Sequence, residues 1–250
     1  MTVTDEDREL FRQSCDKVIE KERQRRGIGT LGEKTIHAVL KHYLDPREQY
    51  HEQRCCGFVA DILAEGEIIE IQTRSFDRLR RKLEAFLDLY DVTVVYPIPA
   101  VKWVSWIDEE TGEVTAKRKS PKKGSYYQVF QELYKIKPYL SHPRLHFRLI
   151  LIDLEEYRLL NGWSRDRKRG SCRYDRIPVE LVDELCLNGP EDFKALLPDG
   201  LPKEFTSEDY RKASKLTLKR SQTALNVLSG LNIVEKCGKQ GRSILYRKSF

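Results

Sequence analysis

The chain has 250 residues, 40% of them hydrophobic and 34% charged, with a net charge of +6. That composition supports a folded core in one large or two smaller domains and excludes a mainly disordered chain, because the charges are mixed in sign. No apolar run of 18 residues occurs and the chain opens MTVTDEDREL, so a membrane is excluded as a partner and a cytoplasmic protein is expected. Six cysteines are present, two of them adjacent and none in a C-x-x-C pair. They fit neither a zinc ribbon nor a disulfide framework, and reduced, mostly buried thiols are expected.

Residues 5–26 read as a highly charged helix with a thin apolar stripe of Leu10, Phe11, Val18 and Ile19. Gly27-Ile28-Gly29 breaks it. Thr30 is then a good N-cap, and Glu33 three residues on completes a capping box for a helix reaching about Leu44, before Asp45-Pro46. Residues 50–55 form a candidate strand.

Residues 57–72, GFVADILAEGEIIEIQ, read as a β-hairpin turning at Glu65-Gly66. A turn there pairs Leu63 with Ile68, Asp61 with Glu70 and Val59 with Gln72 on one face. Two carboxylates then stand opposite, with Cβ atoms roughly 5 Å apart, where like charges destabilise a sheet. A hard cation such as Mg²⁺ removes that repulsion by taking oxygen ligands. A solvated face with both acids in water is the alternative reading.

Residues 76–89 read as an amphipathic helix with Phe76, Leu79, Leu83, Phe86 and Leu87 inward, and residues 91–96 as a buried strand ended by Pro97. The helical crossover makes that strand parallel to its neighbour.

The order helix, three strands, helix, strand, with Glu33 on the first helix, Asp61 on one strand and Glu70-Ile71-Gln72 on the next, resembles the PD-(D/E)xK nuclease superfamily. The resemblance implies an α/β fold with a restriction-endonuclease-like mixed central sheet flanked by helices. It implies a catalytic set of Glu33, Asp61, Glu70 and Gln72, with Mg²⁺ or Mn²⁺ held by Asp61 and Glu70. The sequence departs from the family at Gln72, where E-x-K has lysine. An amide does not titrate near neutrality, so Gln72 orients water or phosphate but supplies no charge. Lys34 or Lys82, on neighbouring helices, are candidates to replace the missing ammonium.

Further along, residues 102–115 read as a second hairpin around Asp108–Gly112. Lys117–Gly124, with five basic residues and no acid, reads as a basic loop. Residues 126–139 read as a helix with Tyr127, Phe130, Leu133 and Tyr134 packed, and 144–154 as a strand. Residues 155–178 read as a loop in which Arg165, Arg167, Lys168 and Arg169 interleave with Trp163, Tyr174 and glycines, a mixture suited to phosphate and base contacts. A strand or short helix at 179–187, a short helix at 193–197 and a linker at 198–203 follow.

The segment 204–250 holds ten basic and four acidic residues, an excess equal to the charge of the whole chain. Two helices, 206–213 and 218–231, and a Gly-rich basic hairpin resemble a winged helix-turn-helix. The helix 218–231 reads with Leu218, Ala224, Leu225, Val227 and Leu228 buried, and the resemblance implies that it is the recognition helix. Lys215, Lys219, Arg220, Gln222 and Thr223 would face DNA, and Lys239 and Arg242 would form the wing.

The expected domains are therefore 1–197 nuclease-like, 198–203 linker and 204–250 winged helix. The expected function is metal-dependent phosphodiester hydrolysis of nucleic acid, by a DNA endonuclease that could act as a homodimer. The alternative is a non-catalytic DNA-binding regulator or adaptor on the same scaffold. RNA is not excluded, since a basic surface alone does not tell DNA from RNA.

Overall fold

The computed structural model describes residues 3–26, 35–161 and 170–250. It is a mixed α/β structure with a central mixed sheet flanked by helices, in the strand order β1-β2-β3-β4-β6-β7, with β5 added on β4. The strands are β1 (His51–Cys55), β2 (Phe58–Ala64), β3 (Glu67–Ile71), β4 (Asp91–Asp108), β5 (Arg118–Lys119), β6 (Leu145–Leu160) and β7 (Cys172–Leu187). The chain divides into two compact units, one of residues 1–51, 97–125 and 150–184, the other of 52–96, 126–149 and 185–250.

In the first unit, α1 (Asp5–Arg26) opens with reciprocal capping: the Thr4 hydroxyl accepts the Asp7 N–H at 3.1 Å and the Asp7 carboxylate accepts the Thr4 N–H at 2.9 Å. Its buried stripe is Phe11, Ser14, Cys15 and Val18; Leu10 and Ile19, expected inward, are half-buried. Phe11 meets Tyr43 of α2 (Thr35–Leu44) edge to face at 5.3 Å. Arg8 donates to the Leu181 carbonyl at 2.7 Å and Tyr43 to Glu184 at 2.8 Å, which seats both helices on β7. The expected capping box of Thr30 and Glu33 lies outside the described residues.

Three stretches of this unit differ from expectation. Strand β4 runs on through Pro97, because β3 ends at Ile71 opposite Val95 and no β3 carbonyl awaits a donor there. The expected loop 155–178 is largely strand: β6 continues to Leu160 and β7 begins at Cys172, with Glu155 and Glu156 satisfied by basic partners. Within the expected basic loop, Arg118 and Lys119 pair with Val104 and Trp103 as β5.

In the second unit, β1 and β2 turn at Cys56-Gly57 and β2 and β3 at Glu65-Gly66, with positive φ at all four residues. Paired positive φ values define the two-residue turns whose twist matches that of antiparallel strands. From β3 the chain crosses to β4, which pairs parallel with it from Glu67↔Asp91 to Ile71↔Val95. The crossover starts as a 3₁₀ turn over Phe76–Leu79 before α3 (Arg80–Phe86), rather than as one helix over 76–89. Ser75 and Glu132 accept the first amides, Asp77 N–H at 3.4 Å and Phe76 N–H at 2.9 Å, and hold the tighter turn.

The expected helix 126–139 is likewise two 3₁₀ segments around a single turn, α4 (Phe130–Leu133). Ile136 leaves helical geometry two residues before Pro138, and Tyr134 is exposed rather than packed. The core of the unit holds Phe76, Phe86, Phe147 and Phe193, with Phe76 stacked on Phe147 at 6.4 Å.

After a 3₁₀ segment at Pro190–Leu196, β8 (Glu204–Thr206), β9 (Val234–Gln240) and β10 (Ser243–Lys248) form a second sheet, ordered β8-β10-β9. Between β8 and β9 lie α5 (Ser207–Ser214) and α6 (Leu218–Gly230). Leu218, expected inward, is exposed, and Ser221 is buried instead. Among the cysteines, Cys15 is the buried one; the other five are half-buried or exposed, contrary to expectation.

Thr206 begins α5 with a capping box: its hydroxyl accepts the Asp209 N–H, and the Asp209 carboxylate accepts the Thr206 N–H at 2.8 Å. Thr206→Ala is expected to cost about 1 kcal/mol of stability, with the slope of the denaturation curve unchanged in urea titration.

Candidate active site on the second hairpin

The hairpin of β2 and β3 takes the register expected, with Leu63 opposite Ile68. The ladder runs from Ala64↔Glu67 to Ile62↔Ile69 and does not extend to the expected pairs Asp61–Glu70 and Val59–Gln72. The reason is chemical. The Asp61 carboxylate takes the Ile71 N–H at 2.8 Å, a donor that a longer ladder would have used.

Glu70 is 2% exposed. Its two oxygens each accept from the Lys82 ammonium, at 2.8 and 2.7 Å, and the same ammonium donates to the Val59 carbonyl at 2.7 Å. An ammonium has three donors, so Lys82 is saturated by one carboxylate and one backbone oxygen. Leu79, Leu83 and Phe86 turn the inward face of the crossover into the core, and Lys82 on its flank reaches the β2–β3 pair.

Burial pushes the Glu70 carboxyl up to about 7, with the Asp61 charge adding to the rise; Lys82 and the Asp61 amide pull the other way without cancelling it. The electrostatic conflict anticipated between the two acids is therefore present, and an internal cation partly relieves it.

Gln72 follows the end of β3, half-buried, with its N–H on the Val95 carbonyl at 2.8 Å. Beside the pair, a cavity of about 530 Å³ is lined by residues 54–59. Val59 belongs both to that lining and to the acceptors of Lys82.

Glu33 and Lys34 lie outside the described residues, as do Arg165, Arg167, Lys168 and Arg169. Sequence reasoning named Lys82 only as one of two candidates. The clue was its place next to the buried Leu83, since a lysine on the rim of an inward face can keep its stem in the core and aim its charge back to the sheet.

Among the described residues, no group of three or more His, Cys, Asp or Glu side chains converges. Mg²⁺ needs fewer, because one or two carboxylates suffice when water and phosphate oxygens complete its shell. Asp61 and Glu70, both hard oxygen donors in mutual repulsion, fit that requirement.

In the C-terminal segment, Lys215, Lys219, Arg220, Gln222, Lys239 and Arg242 are exposed. Lys219 and Arg220 occupy the first turn of α6, capped by Thr217, and Lys215 is the left-handed residue between α5 and α6. Lys239 and Arg242 flank the β9–β10 turn at Gly241. Thr223 departs from expectation: it is half-buried, with its hydroxyl donated to the Lys219 carbonyl at 3.1 Å.

The family described as Domain of unknown function (DUF8091) matches residues 34–188. The chain belongs to the DUF8091 family. The DUF8091 span includes Asp61, Glu70, Gln72 and Lys82 and stops short of α5. The chain is also similar to an uncharacterized protein of Treponema pallidum (strain Nichols), 29% identical over 222 residues that cover 88% of this chain and 87% of that one. No solved structure matches it. Among the described residues, no helix is long and apolar enough to cross a membrane.

Lys82→Met leaves Glu70 buried without its cation and is expected to cost about 3 kcal/mol at pH 8. The cost shrinks at pH 5, where Glu70 is protonated. In the wild type, Glu70 binds its proton more tightly folded than unfolded. Its contribution to stability is thus complete below its ordinary range and is lost as the pH rises through about 7. Urea titrations from pH 5 to 8 on the wild type, Lys82→Met and Glu70→Gln check this, with Glu70→Gln expected to abolish that pH dependence.

Proposed function

We propose that the chain is a metal-dependent nucleic-acid phosphodiesterase of the PD-(D/E)xK kind, acting on DNA, in which Lys82 provides the ammonium that Gln72 cannot. The observation that carries this reading is the convergence of Asp61, Glu70 and Lys82. Two acids in conflict and one lysine are the charges that phosphodiester hydrolysis needs at one place, and here three separate elements bring them together.

Asp61 and Glu70 would hold Mg²⁺ or Mn²⁺, which when bound supplies Lewis acidity and a more acidic water. Asp61 is held in position by the Ile71 amide. Glu70, whose pKa burial raises to about 7, would ionise fully beside such a second positive charge. Lys82, which donates to both Glu70 oxygens and to Val59, would have to exchange one of these bonds to offer its ammonium to the charge that develops on phosphate. Gln72 offers an amide to water or to a phosphate oxygen.

The reading extends to the C-terminal segment. The α5–α6 pair, with the sheet β8-β10-β9, is read as a winged helix-turn-helix, with the start of α6 as the groove-facing end and the β9–β10 turn as the wing. The exposure of Lys219, Arg220, Lys239 and Arg242 supports it.

One observation favours the non-catalytic reading: Lys82 spends all three donors inside the protein. The two readings part on a direct test. Titration calorimetry with Mn²⁺ and nicking of supercoiled plasmid are run on the wild type, Asp61→Asn/Glu70→Gln and Lys82→Met. The nuclease reading expects metal binding and nicking that both vanish in the double variant. It expects nicking to fall about a hundredfold in Lys82→Met, with part of the rate restored by adding Gln72→Lys. Duplex binding without metal binding or nicking leaves the adaptor.

For DNA binding, each of Lys219→Ala, Arg220→Ala and Arg242→Ala is expected to reduce the slope of log affinity against log salt by about 0.9. Fluorescence anisotropy with a labelled duplex measures it.

A further inference from the structure

The first turn of the meander in the second unit carries chemistry that neither the carboxylates nor the C-terminal helices use. Cys55 ends β1, and Cys56 follows in the two-residue turn with Gly57. Both thiols are free, Cys55 half-buried and Cys56 exposed, and their sulfurs lie 3.3 Å apart. Tyr90, just before β4, is hydrogen-bonded to Cys55, and that bond holds its phenol above the usual range. The Cys56 thiol is also held up, first by its hydrogen bond to Cys55. Two thiols and a phenol thus form one hydrogen-bonded group at the surface.

Neither packing nor turn preference explains a cysteine at position 56. Its φ is 50° and that of Gly57 is 79°, values in the left-handed region that asparagine, aspartate or glycine fills at such turns. Burial does not reward it either, because the residue is exposed. What remains is the reactivity of the thiol itself.

The surroundings indicate the reactant. Residues 54–59 wall a cavity of about 530 Å³. Arg54 is the charged residue of that lining and is exposed. Phe58 and Val59 give it an apolar side, with Val59 46% exposed. A guanidinium pairs with a carboxylate through two parallel hydrogen bonds. Two adjacent thiols, a guanidinium and an apolar wall therefore suit a small disulfide that carries a carboxylate.

We infer that Cys55 and Cys56 form a thiol–disulfide exchange site for such a disulfide, with Arg54 receiving the carboxylate. The thiolate of one cysteine attacks a sulfur of the incoming disulfide. A mixed disulfide forms, the incoming S–S bond breaks, and the first small thiolate leaves and takes up a proton. The neighbouring cysteine gives its proton to water and attacks the protein sulfur of the mixed disulfide, which releases the second small thiolate. The protein loses two hydrogens and two electrons in all, and the small disulfide is reduced to two thiols. For the ring to close, the sulfurs move from 3.3 Å to about 2 Å apart.

Adjacent Cα atoms across a trans peptide are about 3.8 Å apart, short of the roughly 4.4–6.8 Å that disulfides span. The closed ring is therefore strained, and a small thiol returns it readily to two thiols. The site is reversible for that reason. It depends on neither Asp61 nor Glu70 and on no hydrolysis.

The test uses the reduced full chain in EDTA at pH 8, where thiolate is available. It is incubated with oxidised glutathione, which carries carboxylates, or with bis(2-hydroxyethyl) disulfide, which is neutral. Remaining thiols are alkylated, and the peptide that holds residues 55 and 56 is followed by mass spectrometry. With oxidised glutathione, the wild-type peptide should lose the mass of two hydrogens and escape alkylation, and excess reduced glutathione should restore both thiols. Cys55→Ser and Cys56→Ser, checked for folding by circular dichroism, each keep one thiol and should stop at the mixed disulfide. Arg54→Gln should slow the reaction with oxidised glutathione about fivefold and leave that with the neutral disulfide unchanged. Asp61→Asn/Glu70→Gln should react like the wild type.

A wild-type peptide that stays fully alkylated, or that stops at the mixed disulfide, overturns the inference. Equal slowing of both probes in Arg54→Gln overturns the assignment of the carboxylate to Arg54. Should a serine variant fail to fold, the wild-type masses and the two-probe comparison in Arg54→Gln decide the matter by themselves.

Discussion

The buried pair of Glu70 and Lys82 is the interaction on which the second unit's architecture turns. Removing two charges from water costs several kcal/mol each, and attraction alone repays this only when every donor and oxygen is satisfied. Here both oxygens of Glu70 receive the ammonium, and its third proton goes to Val59. One side chain on the crossover helix thus ties β2 and β3 to α3. The pair remains electrostatically unfinished, because Asp61 stands close enough to raise Glu70 while its own carboxylate serves the Ile71 amide. The pair is satisfied without a metal, yet the Asp61 charge still opposes that of Glu70. That repulsion is what the proposed metal site, and with it the proposed nuclease activity, rests on.

The backbone creates this arrangement by simple means. Two consecutive two-residue turns, Cys56-Gly57 and Glu65-Gly66, leave no slack in the meander of β1, β2 and β3, so the register of β2 on β3 is fixed. The parallel pairing of β3 with β4 then sets where the crossover starts and ends. Leu79, Leu83 and Phe86 anchor the crossover in the core, and Lys82 has one direction left in which to aim. Shifting the β2–β3 register by one residue would turn Asp61 to the opposite face and dissolve the site.

Much of this was legible in the sequence, and the exceptions share a cause. The hairpin, its turn and register, the parallel strand at 91–96, α1 and the α5–α6 pair followed from periodicity, Gly placement and caps. These are local signals, and neighbouring residues express them. The misread stretches are those whose conformation is decided by distant partners. Residues 155–160 and 172–178 look like loop by composition, yet Glu155 and Glu156 are neutralised by Lys117 and Lys102 from elsewhere in the chain, and the strands persist. Pro97 reads as a strand end, but nothing on β3 needed its missing donor. Phe76–Leu79 and Tyr126–Tyr139 carry helical patterns that tertiary contacts tighten into 3₁₀ turns. In the site, the conflict between Asp61 and Glu70 was readable from spacing, whereas the choice of Lys82 was not, because it depends on how α3 docks.

Basic residues appear in this chain in two settings: exposed at the C-terminal helix pair and hairpin, and gathered around Glu156 in the first unit. Both are separate from the question of chemistry at Glu70. That question is answered most directly by the carboxylate itself. A carbon-13 NMR titration of glutamate-labelled protein, with Glu70 assigned by its loss in Glu70→Gln, follows the group from pH 4 to 9 with and without Mg²⁺. The account predicts a midpoint near 7 in the absence of metal, moving down by more than one pH unit when millimolar Mg²⁺ is added. A midpoint in the ordinary glutamate range, or one that Mg²⁺ leaves in place, would contradict it.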